Sequence, residues 1–167
     1  MALVIDTYQP GDEERMMDIA PRAFGVLARY GIDYQLPRDR VEQMYRDEAK
    51  GYADIAREGR PDWAVFVARR DGHLIGYIAV RVNHELTERF GLKWGQIVSL
   101  AVDPDFHHQG TGKALVARAM EWFDEQECEY LEVITDQNNP SAIRTYEGAG
   151  FRVLHSPITL TQLRRRS

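Results

Sequence analysis

One cysteine, Cys128, stands in a chain of 167 residues, so no internal disulfide can brace the fold and an oxidising compartment is not expected. No apolar run is long enough to span a membrane, and the opening MALVIDTYQP has neither the basic region nor the apolar core of a signal peptide. A strong excess of one charge is missing too. Lys and Arg number 21 against 26 Asp and Glu, a net charge of −5 that argues against a nucleic-acid surface. His107 and His108 lie near Asp103 and Asp105, but neighbours in sequence rarely converge on one ion. His84-Glu85 is not an HExxH motif, because Glu88 occupies the second histidine's place. These absences lead us to expect a cytoplasmic protein that uses no metal, membrane or nucleic acid.

What is present is ordinary in bulk and informative in order. Hydrophobic residues make up 44% and charged residues 28%, which with this length fits a single globular domain over 1–167. Leu3–Tyr8 reads as a strand. A helix follows from Asp12 with Met16, Ile19, Ala20, Ala23, Phe24 and Leu27 on one stripe, and Pro21 predicts a kink or an early end. Tyr30–Arg38 reads as a loop. A second helix over Asp39–Glu58 carries Val41, Met44, Tyr45, Tyr52, Ile55 and Ala56 on its apolar face and stops at Gly59-Arg60-Pro61. Trp63–Arg69 and Leu74–Asn83 flank an Asp71-Gly72 hairpin turn. Gly95–Val102 and Tyr130–Thr135 read as further strands. Lys113–Glu125 and Pro140–Glu147 read as helices, and Phe151–Leu163 can supply two late strands around Ser156-Pro157.

The segment IVSLAVDPDFHHQGTGKAL, Ile97–Leu115, carries the chemistry. An apolar strand ends at Asp103-Pro104, a glycine-containing loop follows, and a helix begins. The first turn of that helix has N–H donors without helical acceptors, and its dipole puts partial positive charge there. Gly110 and Gly112 lack a Cβ, so an anion can approach the main chain closely. Two familiar phosphate loops fail on spacing. A P-loop would need glycine at His107 and Ser or Thr at Ala114; a dinucleotide fingerprint would need glycine at Leu115.

His107-His108-Gln109-Gly110-Thr111-Gly112 resembles the acyl-CoA signature [Q/R]-x-x-G-x-[G/A] of the GNAT superfamily of N-acetyltransferases, with His107 where Gln or Arg is usual. Downstream, Asn139, Ala142, Tyr146, Gly150 and Phe151 match the family's N-x-x-A-x-x-x-Y-x-x-x-G-F segment at every position. Asn139 is also a good N-cap, and Pro140 suits the first helical position. The resemblance covers most of the chain and is sharpest over Trp94–Phe151.

That resemblance implies an α/β (α+β) GNAT fold: a mixed, mostly antiparallel sheet of six to seven strands, splayed between the fourth and fifth and flanked by about four helices. It implies acetyl-CoA as cosubstrate. The main chain of Leu100, Ala101 and Val102 would pair with the pantetheine arm. His107, His108, Gln109, Gly110, Thr111, Gly112 and Lys113 would surround the pyrophosphate, and Asn139 and Tyr146 would meet the arm. Tyr146 would be the acid at the sulfur, with an oxyanion donor from the N–H of Ala101 or Val102. The implied reaction is acetyl transfer to a primary amine of a small molecule or peptide, with a non-catalytic acyl-CoA-sensing module as the alternative. Glu85, Glu132 and Asp136 are candidate bases. The acceptor would be chosen by Phe24–Pro37 and Leu154–Leu163, with Tyr30, Asp33 and Tyr34 suited to a cation, and a homodimer through sheet edges or late strands is a further expectation. The bland readings are Tyr146 as a packed aromatic, Cys128 as an inert thiol, and Trp63, Trp94 and Trp122 as packing residues.

Overall fold

Asp71 and Gly72 both take left-handed backbone, with φ of 51° and 79°, which is what a two-residue hairpin turn demands. They join β2 to β3 in a computed structural model that describes residues 2–25, 35–154 and 162. In chain order the elements are β1 (Leu3–Thr7), α1 (Asp12–Gly25), α2 (Arg38–Glu58), β2 (Trp63–Arg70), β3 (His73–Val82), α3 (His84–Phe90), β4 (Trp94–Val102), α4 (Thr111–Glu125), β5 (Tyr130–Val133) and α5 (Pro140–Gly148). The sheet order is β1-β2-β3-β4-β5, antiparallel throughout except for the parallel β4–β5 pair.

Two apolar layers sandwich this sheet. One face packs on α4 through Leu115, Val116, Ala119, Trp122 and Phe123, against Phe66, Ile75, Ile78, Val80 and Ile97. The other packs on α1 and α2 through Met16, Ile19, Ala20, Ala23, Ala49 and Ala53, against Val65, Val67, Tyr77 and Ala101. The small residues of α1 and α2 let the two helices lie close to each other and to the sheet. On α2 the buried stripe is Val41, Ala49 and Ala53, and Met44, expected on that face, is exposed. Gly95 marks the closest approach of α4 to the sheet: a Cβ there would lie 2.7 Å from both the Phe123 ring and the Leu131 side chain. Gly95→Ala should therefore cost stability, by about 1–3 kcal/mol as overpacking does, read from a denaturant midpoint.

Of the two outcomes expected at Pro21, a kink or an early end, the early end does not occur: helix α1 runs through it to Gly25. Proline removes the N–H that would have bonded the carbonyl of Met17. Arg46 of α2 supplies the missing donor, its Nη1 lying 3.2 Å from that oxygen. Helix α3 was not foreseen. Asn83 caps it by accepting from Leu86 N–H, and Gly91 ends it in left-handed backbone. The described residues therefore form five α-helices, against about four expected. The described residues form five strands. Phe151–Leu154 is not a strand, and the remainder of the two late strands expected over Phe151–Leu163 falls, Gln162 apart, outside the described residues. Tyr30, Asp33 and Tyr34 fall outside them as well. Among the described residues no helix is long and apolar enough to cross a membrane.

Candidate functional site

β4 and β5 pair only where Trp94–Ile97 meets Tyr130–Val133. At the end of that pairing the register of β4 on β3 slips by one residue at Val98, a bulge that bends the strand. From there to Val102, β4 is bonded to β3 alone, and its other edge has no strand partner among the described residues. Asp103 N–H donates to Ile75 O at 2.8 Å and sets the alternation. Ser99 and Ala101 turn their main-chain groups toward β3, whereas Leu100 and Val102 turn theirs to the open edge. Consistent with this, Val102 O accepts from His107 Nε2 at 3.0 Å.

The open edge leads straight into the loop before α4. Pro104–Phe106 forms a 3-10 turn, His108 adopts φ 59°, and Gly110 at φ 80° is the N-cap residue of α4 with no side-chain cap. The first bond on entering the helix runs from Ala114 N–H to Gly110 O at 3.0 Å. The N–H groups of Thr111, Gly112 and Lys113 precede it and have no helical acceptor. Thr111 is buried, at 1% exposed, while Lys113 is exposed with no ion-pair partner among the described residues. Gly112 tests the fit of an anion here. Its added Cβ would meet nothing nearer than Val102 Cγ2 at 3.9 Å, so packing does not require glycine. A helical glycine costs about 1 kcal/mol relative to alanine. With no Cβ there, an anion has room to come close to the first-turn amides, and the charge and size of a pyrophosphate suit such a helix N-terminus.

α5 brings the second motif to the same region. Asn139 caps it, Oδ1 accepting from Ala142 N–H at 3.2 Å, which leaves the side-chain NH2 free for another acceptor. Tyr146 sits on the inward face, 7% exposed, in the same apolar cluster as Leu100, Val102, Leu115 and Phe151. Burial pushes its hydroxyl up to about 12, and that hydroxyl has no hydrogen-bond partner among the described residues. Tyr146 therefore shares one apolar cluster with Leu100 and Val102 of the open edge and with Leu115 of α4, and Asn139 stands at the N-terminus of the helix that carries it.

The profile of the Acetyltransferase (GNAT) family matches residues 26–151, well over half the chain. The chain belongs to the GNAT acetyltransferase family. The mycothiol acetyltransferase of Acidimicrobium ferrooxidans is 25% identical over 155 residues, 92% of this chain and 45% of that protein. Its counterpart from Sanguibacter keddieii is 32% identical over 102 residues, 59% of this chain and 32% of that one. The chain thus spans about half or less of the length of the curated relatives it matches. The PaiA N-acetyltransferase of Thermoplasma acidophilum, solved in complex with coenzyme A, has a TM-score of 0.75 over 94% of each chain at 17% identity. The likeness agrees with the GNAT fold.

The three carboxylates considered as bases in this GNAT chain lie in different settings. Glu85 is exposed on α3 and ion-pairs with Arg89 at 2.7 Å. Asp136 accepts from Asn138 N–H at 2.7 Å in the turn before α5. Glu132 is half-buried on the last rungs of the β4–β5 pair. There it accepts from Gln96 Nε2 at 2.7 Å, and Gln96 Oε1 in turn accepts from Arg81 Nε at 2.8 Å. Ile97 and Val133 next to this pair belong to the α4 cluster, so Gln96 and Glu132 face the α1–α2 side. Among the described residues no group of three or more His, Cys, Asp or Glu could hold a metal. Burial pushes the Cys128 thiol up, away from nucleophilic use.

Two features at the cradle were not read from the sequence. Arg70, at the hairpin tip, donates to Gln109 Oε1 and so brings a guanidinium to the cradle. Asp103, considered only as a poor metal ligand, is a buried carboxylate bound by Arg15 and Arg22 of α1. Neither pairing has a local signal, because the partners are far apart in sequence.

Proposed function

We propose that this GNAT chain transfers an acetyl group from acetyl-CoA directly to a primary amine of a small molecule or peptide. The observation that carries the reading is the unpaired half of β4 running into an uncapped helix N-terminus, with Tyr146 buried beside both. Acetyl-CoA would supply the acyl thioester. Main-chain groups of Leu100 and Val102 would pair with its pantetheine arm as an added strand, and Asn139 Nδ2 would donate to the same arm. The amides of Gln109 to Lys113 would receive the pyrophosphate, with the ammonium of Lys113 and the guanidinium of Arg70 adding positive charge.

At the reacting centre, the alternation along β4 favours Val102 N–H over that of Ala101 as the donor to the carbonyl oxygen. Tyr146 would donate a hydrogen bond to the sulfur. With its hydroxyl near 12 and a thiol near 8.5, complete proton transfer is uphill by about 5 kcal/mol. The role that fits is stabilisation of the departing thiolate, which leaves as the anion and is protonated by solvent, while the amine gives up its own proton separately. Glu132, on the opposite face, is the carboxylate best placed to accept that proton through water, since Gln96 holds it in position.

Membership of the GNAT family supports an amine acceptor, and the reading takes the protein to be cytoplasmic with no nucleic-acid or membrane partner; a homodimer through sheet edges or late strands goes with it. Release of free thiol from acetyl-CoA across a panel of primary amines tests the proposal. Amine-dependent, saturable release supports it. Saturable CoA binding with no release on any amine would leave the sensing-module reading in its place.

A further inference from the structure

Asp103 is 1% exposed, yet it is charged and sits where β4 becomes the cradle loop. A buried carboxylate is costly unless its oxygens are bonded. Here Oδ2 accepts from a guanidinium nitrogen of Arg15 and from Arg22 Nη1 at 3.0 Å, and Oδ1 accepts from Asp105 N–H at 3.1 Å. The backbone is held as firmly. Asp103 N–H reaches Ile75 O, Phe106 N–H reaches Asp103 O, and His107 N–H reaches Pro104 O. Arg15 Nε also donates to Leu74 O at 3.2 Å, and Arg22 Nη2 to Asp105 Oδ2 at 2.9 Å. α1, β3 and the 3-10 turn are thus tied at one carboxylate, immediately before the free amides begin.

Capping a 3-10 turn requires only an Asn, Ser or Asp side chain. Two arginines from a helix on the opposite face of the sheet do something more: they fix the turn relative to α1. The local charge does not serve to attract phosphate, because Asp18, Asp103 and Asp105 outnumber Arg15 and Arg22. What remains is placement. Donors that are already in position bind an anion without the cost of ordering the loop.

We propose that Asp103, held by Arg15 and Arg22, is a positioning residue that pre-orders the pyrophosphate cradle. The proposal rests on the acetyl-CoA reading above. It makes the clamp matter for the phosphates of the donor and not for its thioester end, which β4 and α5 hold.

The test compares Asp103→Asn and Arg22→Gln with the unaltered protein in three measurements. These are the Kd for CoA by calorimetry, kcat and KM with acetyl-CoA, and kcat/KM with S-acetylpantetheine, which carries no phosphate. Arg22 is 39% exposed, so its replacement tests the clamp even where Asp103→Asn folds poorly. The expected result is a rise of about tenfold in the CoA Kd and in the acetyl-CoA KM, with kcat at saturation and kcat/KM for S-acetylpantetheine changed less than about twofold. Parallel losses on both donors, or an unchanged CoA Kd, would overturn the proposal and leave the clamp structural. Unaltered protein that fails to bind CoA, or that uses both donors equally well, would overturn the acetyl-CoA reading together with it.

Discussion

Gly112→Trp is expected to raise the Kd for CoA at least about 100-fold, equivalent to losing two charge-assisted hydrogen bonds, while the protein stays folded. The glycine stands in the first turn of α4, between two other residues whose N–H groups also lack helical acceptors. An indole there occupies the space through which an anion must reach those amides. Stability should survive, because the new Cβ meets only Val102 Cγ2 at 3.9 Å and tryptophan suits a helix better than glycine. Calorimetry with CoA and circular dichroism separate the two effects. Unchanged affinity in a folded variant would place the phosphate site elsewhere.

Tyr146→Phe is expected to lower kcat about 100-fold, in the range typical of losing one hydrogen-bond donor to a developing negative charge, with the CoA Kd altered less than about threefold. Phenylalanine keeps the ring contact with Phe151, whose centroid lies 5.9 Å away, so the apolar cluster around α5 should persist. What is removed is one hydroxyl without a hydrogen-bond partner among the described residues. Burial raises its pKa to about 12, so it stays protonated throughout any practical assay range. The sign follows directly: an acid with a raised pKa loses its proton only above that value, so the alkaline limb of the rate profile below about pH 10 belongs to another group. The variant should keep the shape of the profile and lose its height. Wild-type turnover would return Tyr146 to the role of a packed aromatic.

The parts of the fold that could be read in advance are those whose chemistry is local. The Asp71-Gly72 turn, the Asn139-Pro140 start of α5 and the Gly110–Gly112 entry to α4 each depend on residues within a few positions of one another. The stripes of α1 and α4 were visible because one face of each is buried. Helix α3 buries no residue, so it left no apolar period to detect, although Asn83 and Gly91 were there as its cap and stop. That α1 runs past Pro21 could not be read in advance, because the compensating donor, Arg46, comes from another helix. Of the site, the two motif segments were legible. The bulge at Val98, which selects Leu100 and Val102 as the open-edge residues, was not, since it exists only in the register against β3. The clamp at Asp103 was hidden for the same reason: Arg15 lies 88 residues away in sequence.

The account stands most directly on what the cradle binds, and a thermal-shift titration with CoA and acetyl-CoA, set beside ATP and NAD, reads that in one experiment. A ligand that binds the native state alone must stabilise it by RT ln(1 + [L]/Kd), so its melting temperature climbs with the logarithm of ligand concentration above Kd. The predicted result is a concentration-dependent rise with the CoA species and none of comparable size with ATP or NAD. No rise with CoA, or an equal rise with ATP, would mean that the α4 N-terminus is a general anion site, and the acetyltransferase account would be contradicted.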